Sequence, residues 1–491
     1  MKFIARLEKS KDFWFLLMTS FIFFILRLPS LFEPYWYGDE GIYEVLGSAI
    51  RHGRTLYSGI WDNKPPLLYI VYAIFNGDQF YVRIASLVFG IFAVIAFFFL
   101  AKKVFGEGSE KRETVLWSTS IFAFLFGLPL LEGNIANAEN FMLFPIILSA
   151  LLLFKEKLKP KIYFSAGILL GVAALFKIVA VFDFAAFCTF IFIVNTEIPR
   201  KKINFGKLIK QTVILLAPFI LGFVIPFLIT SLIFLGPSFK YFFQATFVQN
   251  VGYVGYGNKL IIPQGFLVLK LVILAGFNLY LFLRKTKFSK ETLFVLSWLS
   301  FSLFNAFFSQ RPYTHYLLVL LPSIALIIGL IVLEKKYKPQ LAILFAFVLL
   351  LIFTNFNLYG KTPFYYQNFA SFIAGNKTVR EYRAFFDKKT PIDYEIAEYI
   401  KSKTTSSDQI FIWGNNAQVY KLTEKLPPGR YAVAYHMTNY KDGYNDTQEA
   451  LQKANPKFII VMPKQPMFPY SLYGYTNVVT IENVTIYERL L

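Results

Sequence analysis

Long runs of apolar residues alternate with short polar segments over most of the chain before residue 359. A helix that crosses the hydrocarbon layer of a bilayer needs about 20 mostly apolar residues, and eleven runs approach this length. They cover residues 13–32, 81–101, 114–131, 141–154, 162–176, 178–195, 212–235, 266–283, 292–308, 316–333 and 340–358. The pattern predicts a multi-pass α-helical membrane protein with about eleven transmembrane helices.

Two places in this map are ambiguous, and the charge of the loops decides how many spans they form. The run 141–154 is short and contains Pro145, and Lys177 interrupts an apolar stretch that also fits one longer span. Cytoplasmic loops carry an excess of Lys and Arg. With eleven spans and a cytoplasmic N-terminus, the cytoplasmic segments hold 24 of these residues and the outer loops hold 7. We therefore expect eleven spans in the plasma membrane, with the C-terminus outside.

The residues after 358 have the pattern of a small soluble domain. A helix is predicted over 391–400, a short buried strand over 409–413, a second helix over 446–454 and a second strand over 457–462. Alternation of strands and helices at these lengths is typical of an α/β module. We expect a transmembrane domain over 1–358 and an extracytoplasmic α/β domain over 359–491.

Composition and charge agree with this division. Of 491 residues, 56% are apolar and 16% are charged, whereas soluble proteins average about 45–50% apolar and about 25% charged. The net charge of +20 follows largely from the cytoplasmic loops, so nucleic acid is excluded as a partner and membrane lipids are expected contacts. The single Cys188 cannot form a disulfide within the chain.

The first outer loop, residues 33–80, concentrates unusual polar residues. Helices on the membrane surface are predicted near 40–50 and 66–75, with Asp39 and Glu40 at the membrane boundary. An ionisable pair at this depth indicates a functional site. The alternatives are that Asp39 only caps the following helix and that Lys64 only contacts lipid headgroups.

Other ionisable residues are predicted on the same side of the membrane. Glu139, Lys177, Arg311 and His315 all lie at outer turns. The alternatives are that Lys177 and Arg311 extend toward lipid phosphates and that His315 is only a hydrogen-bonded interfacial residue. Taken together, the set suits sugar transfer from a polyprenyl phosphate. Cations stabilise the leaving phosphate, and a carboxylate takes the proton of the acceptor hydroxyl.

Two motifs of the first loop resemble the GT-C superfamily of membrane glycosyltransferases. They are Gly-Asp-Glu at 38–40 and Trp-Asp-Asn-Lys-Pro-Pro-Leu-Leu-Tyr at 61–69. The resemblance is to bacterial protein-mannosyltransferase-like and aminoarabinose-transferase-like enzymes, of glycosyltransferase families 39 and 83. It extends over nearly the whole chain, through Glu139, Arg311, His315-Tyr316, Trp413-Gly414 and Asn455-Pro456-Lys457.

This resemblance implies an inverting displacement with a first-loop acid as base. Asp39, or Glu40 beside it, would take the proton of the acceptor hydroxyl. Glu139 falls at the position of a second acid, with Asn140 or Glu132 as alternatives.

The resemblance also implies which residues hold the departing polyprenyl phosphate. These are Lys64 and Arg311, with His315 and Lys177 as further candidates. No metal or other cofactor is required, and the sequence shows no His or Cys cluster with zinc spacing. A divalent ion at Asp39 and Glu139 is left open.

Two other functions are alternatives to a single-sugar transferase. A lipid-linked oligosaccharide ligase needs the same residue types, and a secondary transporter would instead place ionisable residues near the bilayer midplane. Because the charges gather at one boundary, we favour a single-sugar transferase over a transporter, and the ligase stays an alternative. The donor sugar and the acceptor, whether lipid, glycan or protein, stay open.

Overall fold

The computed structural model describes residues 11–106, 108–154, 159–196, 205–250, 266–309 and 311–490. The loop charges counted above at 1–10, 155–158 and 197–204 lie outside the described residues. The described part of the chain is mostly helical.

The helices and strands follow one another along the chain with short connections. In order they are α1 (Lys11–Arg27), α2 (Gly38–Arg51), α3 (Pro66–Ile74), α4 (Gln79–Phe105), α5 (Ser109–Gly127), α6 (Ala138–Leu153), α7 (Pro160–Phe176), α8 (Val181–Asn195), α9 (Phe205–Ile233), α10 (Pro237–Phe243), α11 (Leu267–Leu283), α12 (Lys290–Phe308), α13 (Leu321–Leu333), α14 (Lys338–Asn355), α15 (Thr362–Ile373), α16 (Val379–Phe386), α17 (Thr390–Lys403), β1 (Ile410–Trp413), α18 (Gln418–Leu422), α19 (Ala434–Asn439), α20 (Gly443–Ala454), β2 (Phe458–Val461), β3 (Tyr475–Ile481) and β4 (Val484–Arg489).

Each of the eleven apolar runs forms a helix: α1, α4 to α9, and α11 to α14. Within the described residues, seven helical segments are long and apolar enough to cross a membrane. They are Lys11–Phe32, Gln79–Phe105, Ile178–Asn195, Thr212–Ile233, Lys290–Phe308, Thr314–Leu333 and Lys338–Asn355. α6, α7 and α11 are apolar but shorter. The protein is therefore a multi-pass α-helical membrane protein.

One of the two ambiguous places of the sequence is a continuous helix and the other is a break between helices. α6 continues through Pro145. α7 ends at Phe176; Lys177 follows with an extended backbone (φ −153°, ψ 126°), and a short 3-10 turn leads into α8. The predicted break at Lys177 is therefore confirmed.

Glycines bring α7 and α9 close together. A Cβ atom on Gly167 would lie 2.1 Å from the carbonyl oxygen of Phe219, and one on Gly222 would lie 2.1 Å from that of Phe164. Small residues at such positions let membrane helices pack backbone against backbone. The close packing of α7 against α9 therefore requires glycine at these two positions.

The chain divides into two compact units. The bundle unit comprises Met1–Leu28, Ala85–Ile233 and Gln249–Thr362. The loop–sheet unit comprises Pro29–Ile84, Phe234–Val248 and Pro363–Leu491. The first loop thus folds together with the C-terminal region.

The loop–sheet unit contains a four-stranded sheet with strand order β1-β2-β4-β3. β1 pairs with β2 in parallel, and the other two pairings are antiparallel. β1 and β2 are almost entirely buried and match the two predicted strands. β3 is largely exposed and, like β4, was not predicted.

The helix predicted near residues 40–50 is present as α2, and it is packed inside the loop–sheet unit. Nearly every side chain from Glu40 to Ala49 is buried, because α3 and α18 pack on α2. Gly41 and Gly47 permit this approach: a Cβ atom on Gly41 would lie 2.9 Å from the backbone nitrogen of Gln418. α2 is therefore an interior helix of the loop–sheet unit.

Burial of α2 has a cost at Glu44. Both of its carboxyl oxygens are buried without a hydrogen-bond partner among the described residues, and Lys421 donates instead to the carbonyl oxygen of Asn76 at 2.6 Å. Burial and the neighbouring Glu40 hold the pKa of Glu44 well above its usual range.

We expect Glu44→Gln to stabilise the protein at neutral and higher pH. A carboxyl whose pKa is raised in the folded state binds its proton more tightly there than in the unfolded state. The contribution of Glu44 to the free energy of unfolding therefore falls as the pH rises above the usual carboxyl range. The variant should melt several degrees above the wild type at pH 8 and match it near pH 4. Thermal unfolding in detergent across this range tests the prediction, and a difference that does not change with pH would contradict it.

Candidate functional site

Asp39 presents an accessible carboxylate at the start of α2. The residue that precedes the helix is Tyr37, and no side chain caps the first turn. Asp39 Oδ2 instead accepts a hydrogen bond from the hydroxyl of Tyr43 at 3.1 Å, and its side chain is 41% exposed. The alternative that Asp39 merely caps the helix is therefore wrong.

Lys64 lies beside this carboxylate. Its Nζ is 3.8 Å from Asp39 Oδ2 and 3.8 Å from Asp62 Oδ2. It also lies 4.7 Å from the centre of the Tyr43 ring, a cation–π contact. The side chain is 19% exposed, so Lys64 is a partly enclosed cation between two acids.

Two tyrosines hold the backbone of Lys64 in place. The hydroxyl of Tyr57 donates to its carbonyl oxygen at 2.8 Å, and its N–H donates to the hydroxyl of Tyr69 at 3.1 Å. Tyr57 has a left-handed backbone (φ 70°) and is fully buried. Such conformations persist where the surroundings enforce them. The loop is thus fixed before any ligand arrives.

Asp62 is a buried member of the site to which the sequence analysis gave no role. It is 1% exposed and accepts hydrogen bonds from the Tyr69 hydroxyl at 2.7 Å and the Asn63 N–H at 2.8 Å. His436 Nε2 lies 3.5 Å from Asp62 Oδ1, the oxygen that accepts from Asn63. Burial opposes its ionisation, but Lys64, His436 and Tyr69 outweigh burial and hold the pKa of Asp62 well below its usual range.

Glu40 has a different environment from Asp39. It is buried, and Arg83 donates to both of its carboxyl oxygens, Nε to Oε1 at 3.0 Å and Nη2 to Oε2. Arg83 also binds Glu33 at 3.0 Å, and Glu33 accepts from the Tyr365 hydroxyl at 2.6 Å. This arrangement ties the first loop to α15 and leaves Glu40 no access to a substrate.

A second ionisable cluster lies in the bundle unit. Lys177 makes an ion pair with Glu139 and lies 4.3 Å from the centre of the Tyr316 ring. His315 Nδ1 lies 2.8 Å from Glu132 Oε2, and its Nε2 lies 3.9 Å from Glu139 Oε1. The structure therefore brings together three predicted site residues, Glu139, Lys177 and His315. His315 also has the hydrogen bond that its alternative interpretation required.

Arg311 and Asn140 occupy other positions. Arg311 is partly buried and precedes the 3-10 turn Thr314–Leu320 that carries His315. Asn140 is buried, donating to the carbonyl oxygen of Ile135 at 2.6 Å and accepting from Arg27 at 3.5 Å. Asn140 is therefore engaged in the packing of the bundle unit.

No group of three or more His, Cys, Asp and Glu side chains suited to a metal ion occurs in the part of the chain that the structure describes. What the loop–sheet unit does offer is a carboxylate able to accept a proton and an ammonium group beside it. This pair suits a reaction that removes a proton from a hydroxyl group while negative charge develops nearby.

Two protein families match parts of the sequence. Residues 64–229 match the family described as dolichyl-phosphate-mannose-protein mannosyltransferase. Residues 393–486 match the C-terminal domain of the competence-induced protein Ccs4. A comparison with curated proteins gave no match.

Two solved structures of ArnT share the fold. ArnT from Cupriavidus metallidurans matches with 12% identity over 97% of this chain and 98% of that one, with a TM-score of 0.52 when bound to undecaprenyl phosphate and 0.53 in the apo state. The Archaeoglobus fulgidus oligosaccharyltransferase in the apo form matches with 12% identity over 92% of this chain and 69% of that one, at a TM-score of 0.48. This chain therefore shares the fold of ArnT, and its match to the dolichyl-phosphate-mannose-protein mannosyltransferase family covers residues 64–229, about a third of its length.

Proposed function

We propose that the protein transfers a single sugar from a polyprenyl phosphate to an acceptor hydroxyl group, with inversion at the anomeric carbon. The observation that carries this proposal is the pairing of the accessible Asp39 carboxylate with the Lys64 ammonium group. Glu40 is bound on both oxygens by Arg83, so the proton acceptor is Asp39.

The reaction is one displacement. Asp39 takes the proton of the acceptor hydroxyl as that oxygen forms a bond to the anomeric carbon. The bond between the anomeric carbon and the phosphate oxygen breaks, and its electron pair remains on the polyprenyl phosphate. The Lys64 ammonium stabilises the charge that develops there. The products are the glycosylated acceptor and free polyprenyl phosphate.

A solved structure also supports a donor in which the sugar is carried on a lipid phosphate. ArnT, whose fold this chain shares, was solved with undecaprenyl phosphate bound. The membrane-spanning helices give the chain direct access to such a lipid. The same reaction needs no metal ion, and we expect transfer to continue in the presence of EDTA.

We propose supporting roles for the cluster in the bundle unit. Lys177, Arg311 and His315 are further cations for lipid phosphate. Glu139, which is paired with Lys177, sets the position of that cation and does not act as the base. The Glu139 side chain is buried, whereas the Asp39 side chain is accessible to an acceptor hydroxyl.

We place the reaction at the outer face of the plasma membrane. The support is the distribution of Lys and Arg, which are concentrated in the loops on the opposite side from residues 33–80. The N-terminus is then cytoplasmic, and the sheet of the loop–sheet unit is extracytoplasmic.

Binding of undecaprenyl phosphate to the purified protein in lipid nanodiscs tests the proposal. Lys64→Ala should weaken this binding about 10- to 100-fold, because hydrogen bonds to charged groups contribute about 1.5–3 kcal/mol. Undecaprenol, which lacks the phosphate, should bind with the same affinity to the wild type and to Lys64→Ala.

Lys401 provides a matched control. It is an exposed lysine paired with Glu424 in the same unit, and Lys401→Ala should bind undecaprenyl phosphate like the wild type. If the wild type binds undecaprenol as tightly as undecaprenyl phosphate, recognition of the lipid phosphate is refuted.

A further inference from the structure

A histidine of the C-terminal region reaches the first loop. His436, in α19, is 1% exposed, and its Nε2 lies 3.5 Å from Asp62 Oδ1. Its Nδ1 is buried and has no hydrogen-bond partner among the described residues. An N–H on His436 Nε2 is in a position to donate to Asp62.

We propose that Asp62 and His436 are positioning residues for Lys64. Asp62 Oδ2 lies 3.8 Å from Lys64 Nζ, and His436 approaches the opposite oxygen of the same carboxylate. The two residues hold the ammonium group beside Asp39, where the leaving phosphate needs it. This inference rests on the proposed function, because it assigns the geometry of the same site.

The carboxylate of Asp62 is rigid. The Tyr69 hydroxyl and the Asn63 N–H bind it from two directions, and His436 approaches from a third. A lysine side chain has many rotamers, and fixing it costs conformational entropy. The buried, immobile carboxylate of Asp62 attracts the Lys64 ammonium group to one position. The Asp39 carboxylate is partly exposed and holds the ammonium group less firmly.

Other polar groups near Asp62 do not replace this function. Tyr57 and Tyr440 face the same carboxylate, but the Tyr57 hydroxyl donates to the carbonyl oxygen of Lys64. Arg430 lies over the Trp61 ring and pairs with Asp446. Lys64 and His436 are thus the basic side chains within 4 Å of Asp62 in the described part of the chain.

The proposal predicts opposite effects on binding and on catalysis. Asp62 is an anion, and an anion close to a bound phosphate repels it. Asp62→Asn should therefore bind undecaprenyl phosphate at least as tightly as the wild type. Its rate of sugar transfer at saturating donor should fall at least tenfold, because the ammonium group is no longer held in place.

The test measures donor binding and transfer rate for four forms beside the wild type, using undecaprenyl phosphate and its sugar-loaded form. They are Asp62→Asn, His436→Leu, His436→Gln and Asp393→Asn. The Gln side chain can still donate an N–H to Asp62, so His436→Gln should retain more activity than His436→Leu. Asp393 is the matched control, because it is a buried carboxyl of the same unit held by Asn416 and Gln418.

A double-mutant cycle separates positioning from general structural damage. If Asp62 acts through Lys64, Asp62→Asn causes no further loss of rate in the Lys64→Ala background. Additive losses, or a loss of binding equal to the loss of rate in Asp62→Asn, would overturn the positioning role while wild-type turnover preserves the proposed function. Absence of both binding and turnover in the wild type would overturn the proposed function and this inference with it.

Discussion

Asp39→Asn is expected to reduce the rate of sugar transfer by about 10²- to 10⁴-fold, which is the usual contribution of a general base. The amide keeps the size of the side chain and can still accept the hydrogen bond from Tyr43, so the fold should be unchanged. It cannot take a proton from the acceptor hydroxyl. Single-turnover rates with a sugar-loaded polyprenyl phosphate measure the effect.

The loss should be confined to the chemical step. Binding of undecaprenyl phosphate to Asp39→Asn should be no weaker than to the wild type, because a negative charge has been removed. Asp387, an exposed acid at a turn of the same unit, is the control, and Asp387→Asn should transfer sugar at the wild-type rate. If Asp39→Asn transfers sugar at the wild-type rate, Asp39 is not the base.

Arg83→Met is expected to cause the largest loss of stability. Arg83 is fully buried and pairs with Glu33 and Glu40, which are buried as well. Removing one partner of a buried ion pair costs about 3–5 kcal/mol, because the remaining charge is left uncompensated. Thermal unfolding in detergent should show a marked decrease in Tm and a lower yield of folded protein.

Arg380 offers the matching control for this prediction. It pairs with Glu395 at the surface and is largely exposed, and an exposed ion pair contributes about 0–1 kcal/mol. Arg380→Met should therefore unfold close to the wild-type temperature. If Arg83→Met and Arg380→Met are equally stable, the buried ion pairs do not hold the first loop in place.

The membrane helices were predictable because each one is a continuous apolar run. Lys177 marked the end of α7 since a charged side chain interrupts such a run. β1 and β2 were predictable for the same reason, as short apolar segments that end at Gly414 and Pro463. β3 was missed because it is mostly exposed and contains polar residues, so its pairing with β4 leaves little hydrophobic pattern.

The candidate site was only partly visible in the sequence. Asp39 and Lys64 stand in short motifs of one loop, and the structure places them 3.8 Å apart. Asp62 lies in the same motif, but nothing in the sequence shows that it is buried. His436 is far away along the chain, and only the fold brings it to Asp62. Arg83 lies inside an apolar run, and its acidic partners precede that run.

Release of polyprenyl phosphate from a panel of sugar-loaded donors shows whether the protein transfers sugar from polyprenyl-phosphate lipids. The wild-type protein in lipid nanodiscs would be incubated with polyprenyl phosphates carrying a pentose, a hexose or an aminopentose, and the lipid products identified by mass spectrometry. We expect one donor to be converted to free polyprenyl phosphate, with and without EDTA. If none of the donors is bound or converted, the protein does not use polyprenyl-phosphate sugars, and the proposed function is wrong.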